Sequence, residues 1–226
     1  SKWSQLFTNR QLLLLTTLSE IIIEIQELIE KDAVLAGLKN DHISFEDNGL
    51  GAKAYGQAIG LYLSFLVDKL ADYNSSFCSW NPPREGIRNT FGRQAIPMVW
   101  DFAEANPFSN STGCINNMID WITKSLQLLP TNTKEGHVTQ CDAQSDSGLR
   151  GVMVSTDPPY YDNIGYADLS DFFYIWLRWS MRNSFPSIFR TMLVPKAEEL
   201  VAMPYIHGGN PELAKSFFED GMSKTF

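Results

Sequence analysis

The chain has 226 residues, 44% hydrophobic and 19% charged, which excludes a disordered polypeptide and allows one large domain or a domain with a helical appendage. With 18 basic and 26 acidic residues the formal net charge is -8, which excludes a broadly basic duplex-binding surface. Three widely separated cysteines, Cys78, Cys114 and Cys141, form no CxxC pair and read as reduced thiols of a cytoplasmic protein, with no zinc site and no disulfide framework.

In chain order, Thr8 reads as an N-cap for a helix over about 9–31, whose Leu12, Leu15, Leu18, Ile22, Ile25 and Ile29 recur at helical spacing. Further leucines and isoleucines beside that stripe imply burial on more than one side. Glu20 and Glu24 interrupt the run, which falls short of about 20 apolar residues, so no membrane partner is expected; no secretory signal is read either. A polar loop with Gly37, Asn40, Asp47 and Gly49 leads to a second helix over about 52–73. Between 74 and 113 four prolines interrupt regular structure, and about 86–105 reads as short helices. A third helix is expected over about 115–129, stopped by Pro130.

The pattern then changes. His137–Gln140 and Gly151–Thr156 are short, β-prone and bounded by turn residues, as expected of buried parallel strands. A helix over about 169–182, capped by Asp168, follows, and a last helix is expected over about 211–222.

The second of these runs ends in Asp157-Pro158-Pro159-Tyr160. Alkylating an exocyclic ring amine is difficult because the nitrogen lone pair is delocalised into the ring. A carboxylate (Asp157) and a backbone carbonyl (Pro158) that accept hydrogen bonds from the amine make its nitrogen more tetrahedral and more nucleophilic. Two consecutive prolines, Pro158 and Pro159, restrict the turn and so pre-organise both acceptors. Tyr160 offers a flat face for an extruded base. Tyr161, Asp162 and Asn163 are assigned to the substrate pocket, with ordinary loop polarity as the competing account of the last two.

The run STDPPYYDNIGYADLSDFFYIWLR resembles that of a bacterial and archaeal family of adenine-specific DNA methylases, large proteins that contain a domain of unknown function. The stretches NSSFCSWNPPREGIRNTFGRQAIPMVWDFAEANPFS and PKAEELVAMPYIHGG resemble the same family. The resemblance implies an S-adenosylmethionine-dependent N6-adenine methyltransferase that acts on DNA, with Asp157, Pro158 and Tyr160 holding the target base. It implies that Asp142 lies beside the cofactor. It also implies an α/β fold, mostly helical, with a small parallel-sheet portion of a Rossmann-like methyltransferase fold. The division expected is 1–130 as a helical region and 131–226 as a partial methyltransferase core. The family's glycine-rich cofactor loop has no counterpart here, so the chain reads as an internal fragment whose DNA binding and cofactor binding draw on other regions. An RNA or protein amine, or a non-catalytic helical nucleic-acid or partner-binding module, are the alternative readings.

Other residues are weighed more briefly. Asp101 and Glu104 could line a cleft or simply mark a polar helix end. Arg84, Arg88 and Arg93, with Trp80 and Phe91, form the only basic stretch interleaved with aromatics, suited to phosphate contact and base stacking or to a solvated face. His42, His137 and His207 are scattered, and no metal is assigned. Phe172, Phe173, Trp176 and Trp179 recur at helical spacing and read as core.

Overall fold

The computed structural model describes residues 2–131, 134, 136–162 and 164–225. Among the described residues five α-helices carry the fold: α1 (Asn9–Leu35), α2 (Ala52–Tyr73), α3 (Ile115–Gln127), α4 (Tyr166–Met181) and α5 (Pro211–Thr225). Two short strands, β1 (Ser79–Asn81) and β2 (Gly86–Arg88), pair antiparallel with Trp80 opposite Ile87. The chain divides into two compact units, Ser1–Leu129 with Ser170–Val194, and Pro130–Leu169 with Pro195–Phe226.

In the first unit, α1 starts with a reciprocal cap. The Thr8 hydroxyl accepts from the Gln11 amide at 3.3 Å, and the Gln11 side-chain oxygen accepts from the Thr8 amide at 2.8 Å. One face of α1, with Leu15, Ser19 and Ile22, is buried, and α1 packs along α2. The approach is close because α2 carries glycine at the crossing: a Cβ on Gly56 would lie 2.7 Å from the Gln26 carbonyl oxygen. The opposite flank of α1 leaves Leu13, Ile21 and Leu28 exposed. Burial on more than one side is therefore not realised within the described residues.

Asp72, at the end of α2, is buried and fixes the hairpin. Its carboxylate accepts from the Asn89 side chain at 2.8 Å and the Phe91 amide at 3.0 Å, and its carbonyl accepts from the Thr90 amide at 2.8 Å. Phe91 is thereby turned inward, 4.9 Å from Phe172 of α4 between ring centroids. Phe172 also meets Phe7 at 5.4 Å and is fully buried. Ser180 of α4 and Ser64 of α2 share a buried hydrogen bond of 2.8 Å.

The second unit is built around buried Val201, Ala202 and Ala214. The Glu199 carboxylate accepts from the Ala167 amide at 2.9 Å in the first turn of α4. The Tyr205 hydroxyl donates to Asp168 of that same turn.

Several expectations are corrected. Among the described residues the only sheet is the antiparallel pair β1–β2, so the expected parallel sheet and the Rossmann-like methyltransferase architecture are absent; the chain is mostly helical, with 47% helix. His137–Gln140 and Gly151–Thr156 are irregular, with Val138, Met153 and Val154 exposed at 94%, 97% and 75%. Strands need paired neighbours for their backbone groups and cover for their apolar faces, and these runs have neither. Asp142 and Asp157 accordingly sit on irregular chain, not at strand tips. Over 86–105, β2 and irregular loop replace the expected short helices. Helix α1 runs four residues beyond its expected end, and α4 begins at Tyr166, which puts Asp168 inside its first turn. Among the described residues no helix is long and apolar enough to cross a membrane.

Two pH-linked outcomes follow from these contacts. Asp68 of α2 has a shielded carboxylate oxygen without a hydrogen-bond partner among the described residues, and burial pushes its carboxyl well above the usual 3.8. The folded state then binds the proton more tightly than the unfolded one. The resulting stability is present below pH 3.8 and is lost as the pH rises through the elevated folded value. In urea titrations Asp68→Asn is expected to raise the midpoint at pH 7, with the gain shrinking toward pH 4. Tyr205 is pushed up to about 12 by its hydrogen bond to Asp168, from an ordinary 10.0. That bond contributes fully below pH 10.0 and is lost as the pH approaches 12. An absorbance titration of tyrosinate should show a late-ionising tyrosine that Tyr205→Phe removes.

Candidate functional site

The second unit contains an open cavity of about 720 Å³, whose walls include Asp142, Asp157, Pro158, Pro159 and Glu198. Each wall is held by local chemistry. Asp142 forms a turn in which its carboxylate accepts from the Gln144 amide at 2.9 Å, while its carbonyl accepts from the Ser145 amide at 3.0 Å. The proline pair restricts the backbone after Asp157. Just beyond the motif, the Tyr161 carbonyl accepts from the Ala202 amide at 2.7 Å, and the Tyr161 ring meets Phe218 of α5 edge-on at 5.1 Å. This tie links the motif to the segment that supplies Glu198 and Leu200. Helix α5 supplies Met222 and Thr225. At Gly221 a Cβ would meet Leu200 Cδ1 at 2.2 Å and the Gln144 side-chain oxygen at 3.2 Å. The missing side chain thus lets both neighbouring segments close on α5.

Two of the anticipated groups, Asp142 and the Asp157–Pro159 run, therefore share one cavity. The Asp157 carboxylate makes no hydrogen bond or ion pair among the described residues, which leaves both oxygens open to a ligand. Tyr160 is 60% exposed and is not part of the cavity wall. Tyr161 is engaged with Phe218, and Asp162 is exposed; neither lines the cavity. Asn163 lies outside the described residues.

Glu198, Leu200, Met222 and Thr225 were not singled out in the sequence. Their approach to Asp157 depends on the Tyr161–Ala202 bond and the Gly221 contact, which leave no local pattern. The lining holds three carboxylates and no lysine or arginine, so it suits a cationic or amine-bearing ligand better than a phosphate.

Glu104, Asp101 and the aromatics Phe172, Phe173, Trp176 and Trp179 of α4 lie in the first unit. Glu104 pairs with Arg10 at 2.5 Å and accepts from the Thr8 hydroxyl at 3.1 Å. The Arg10 guanidinium holds its carboxyl below the ordinary 4.5. Glu104 thus braces the start of α1 and, with Asn106, also lines a cavity of about 580 Å³ beside Leu14, Leu18 and Phe108, whereas Asp101 accepts from the Phe102 amide at 2.9 Å and is not part of that wall. Of the four aromatics read as core from their spacing, Phe172 and Trp176 are buried and Phe173 packs against them half-buried, but Trp179 is exposed. No family model matches the chain, and neither a curated protein nor a solved structure is similar to it.

Proposed function

We propose that this chain carries the amine-binding turn of an S-adenosylmethionine-dependent methyltransferase that acts on adenine in DNA. The observation that supports the reading best is the cavity shared by Asp157, Pro158, Pro159 and Asp142, in which the Asp157 carboxylate has no hydrogen-bond partner among the described residues. The substrate class rests on the motif chemistry and on the resemblance of the DPPY run.

The lining fits such a cofactor in size and charge. Its volume lies within the roughly 300–1,000 Å³ typical of small-molecule sites, and its carboxylates favour a cation. Asp142 would hold the nucleoside part. The cofactor, when bound, supplies an electrophilic methyl group carried on a sulfonium. In this mechanism Asp157 and the Pro158 carbonyl accept the two amine hydrogens and localise the nitrogen lone pair. Asp157 would also take the proton that the nitrogen releases on alkylation. Pro158 and Pro159 keep both acceptors fixed, so little reorganisation accompanies the step. Tyr160, exposed at the end of the motif, would offer its ring to an extruded base.

A second reading is a helical module without catalysis, and the lack of a sheet beneath the motif among the described residues favours it. Calorimetry with S-adenosylhomocysteine separates the two: the methyltransferase binds it, and the module does not. With labelled cofactor, transfer to adenine-containing DNA is expected to exceed transfer to RNA or protein. Asp157→Ala should lower that transfer about 100-fold, the scale for losing one pre-organised group. Transfer to RNA alone would reassign the substrate, and full activity of Asp157→Ala would remove the motif from the reaction.

A further inference from the structure

Helix α1 carries an apolar stripe outside the face that packs on α2. Leu14, Leu18, Ile21, Ile25 and Leu28 follow one another at alternating intervals of four and three residues, and Leu35 continues the seven-residue series of Leu14, Ile21 and Leu28. With about 3.6 residues per turn these positions share one flank of the helix, beside the buried Leu15, Ser19 and Ile22. None of the stripe is buried, and Ile21, Leu28 and Leu35 are 45%, 54% and 85% exposed. A repeat of about 3.5 residues is the seam by which one helix receives another. At about 1.5 Å per residue the seam from Leu14 to Leu35 is about 32 Å long.

Two features define what fits on this seam. Pro107 and Phe108 stand beside Leu14, Leu18 and Ile21 and enclose with them the cavity of about 580 Å³, and Phe108 is itself 80% exposed, so the groove has a second apolar wall. Along the stripe, on the side turned away from α2, Glu20, Glu24 and Glu27 are exposed. None of the three is ion-paired among the described residues. An apolar groove with an acidic margin suits an amphipathic helix that lays its apolar side in the groove and its lysines or arginines along the glutamates. A second copy of α1 fits poorly: laid antiparallel with Leu14 beside Leu35, it sets Glu24 next to its own counterpart, and like charges at that place repel. An anionic membrane surface meets the same repulsion.

We propose that this flank of α1 docks an amphipathic helix with basic margins, supplied by a partner protein. Ile21 and Leu28 anchor its apolar side, and Glu20, Glu24 and Glu27 select its charge. Every residue of this face belongs to the first unit and none lines the Asp157 cavity, so docking is independent of methyl transfer.

The test is fluorescence anisotropy of a fluorescein-labelled synthetic helix of about 21 residues, long enough to span the seam, built from the repeat Leu-Lys-Lys-Ile-Ala-Lys-Lys and titrated with the full chain. A second peptide with glutamate in place of every lysine controls for charge. The lysine peptide is expected to bind one per chain, more weakly as salt rises, and the glutamate peptide is expected not to bind. Ile21→Asp and Leu28→Asp should each lower affinity by about tenfold or more, the scale of an interface anchor. Both side chains are already part-exposed, so the fold survives their replacement, which circular dichroism checks. Glu20→Lys combined with Glu24→Lys should weaken the lysine peptide by roughly a few-fold, the scale of exposed charge pairs, and should let the glutamate peptide bind. Equal binding of the two peptides, no binding of the lysine peptide, or affinity unmoved by both aspartate variants would each overturn the proposal. A dimer in sedimentation that Ile21→Asp dissociates would overturn it too, by giving the face to a second copy.

Discussion

The Asp72 carboxylate sits buried at the end of α2, where a charge is tolerable only if its oxygens are hydrogen-bonded. Both are, to Asn89 and to the Phe91 amide. Satisfying that one group fixes where the chain must run after the hairpin. It delivers Phe91 to the aromatic cluster around Phe172, and so it couples α2, the hairpin and α4 into one core. Arg84, Arg88 and Arg93, on either side of the junction, stay exposed.

The helices were largely legible because their signals are local. Thr8 and Gln11 announce the start of α1, Pro130 closes the stretch after α3, and the bounds of α2 follow from its apolar spacing and flanking polar residues. The aromatic spacing indicated core for Phe172 and Trp176 but not for Trp179, which lies in the same helix and faces solvent. The strand expectation failed for the opposite reason. A β-prone run such as Gly151–Thr156 specifies an extended backbone, but whether it becomes a strand depends on partners remote in sequence. The place of Phe91 was open for a related reason: beside Arg88 and Arg93 its context suits base stacking or a solvated face, and only the long-range bond from its amide to Asp72 turns it inward.

The candidate site shows the same division. The turn at Asp157 is readable from its prolines, and Asp142 was reached through resemblance. That the two line one cavity was not readable, because their meeting depends on the return segment at 198–202 and on α5. A glycine at 221, poor for helix propensity, is intelligible only once Leu200 is seen against it. Its absence of bulk is a requirement of the second unit's packing, and the cavity wall inherits that requirement.

The crossing of α1 and α2 has a mechanical corollary. Gln26 is held in three ways: its carbonyl lies under Gly56, its side chain lies against Gly60, and its amide oxygen accepts from the Ser184 hydroxyl at 2.7 Å. Sliding one helix along the other by a turn would drive a side chain into the backbone at the notch that Gly56 now provides. The two longest helices are therefore indexed like a tooth in a slot. Forces applied at one end of the pair are transmitted as tilting of a single rod, and not as axial slippage.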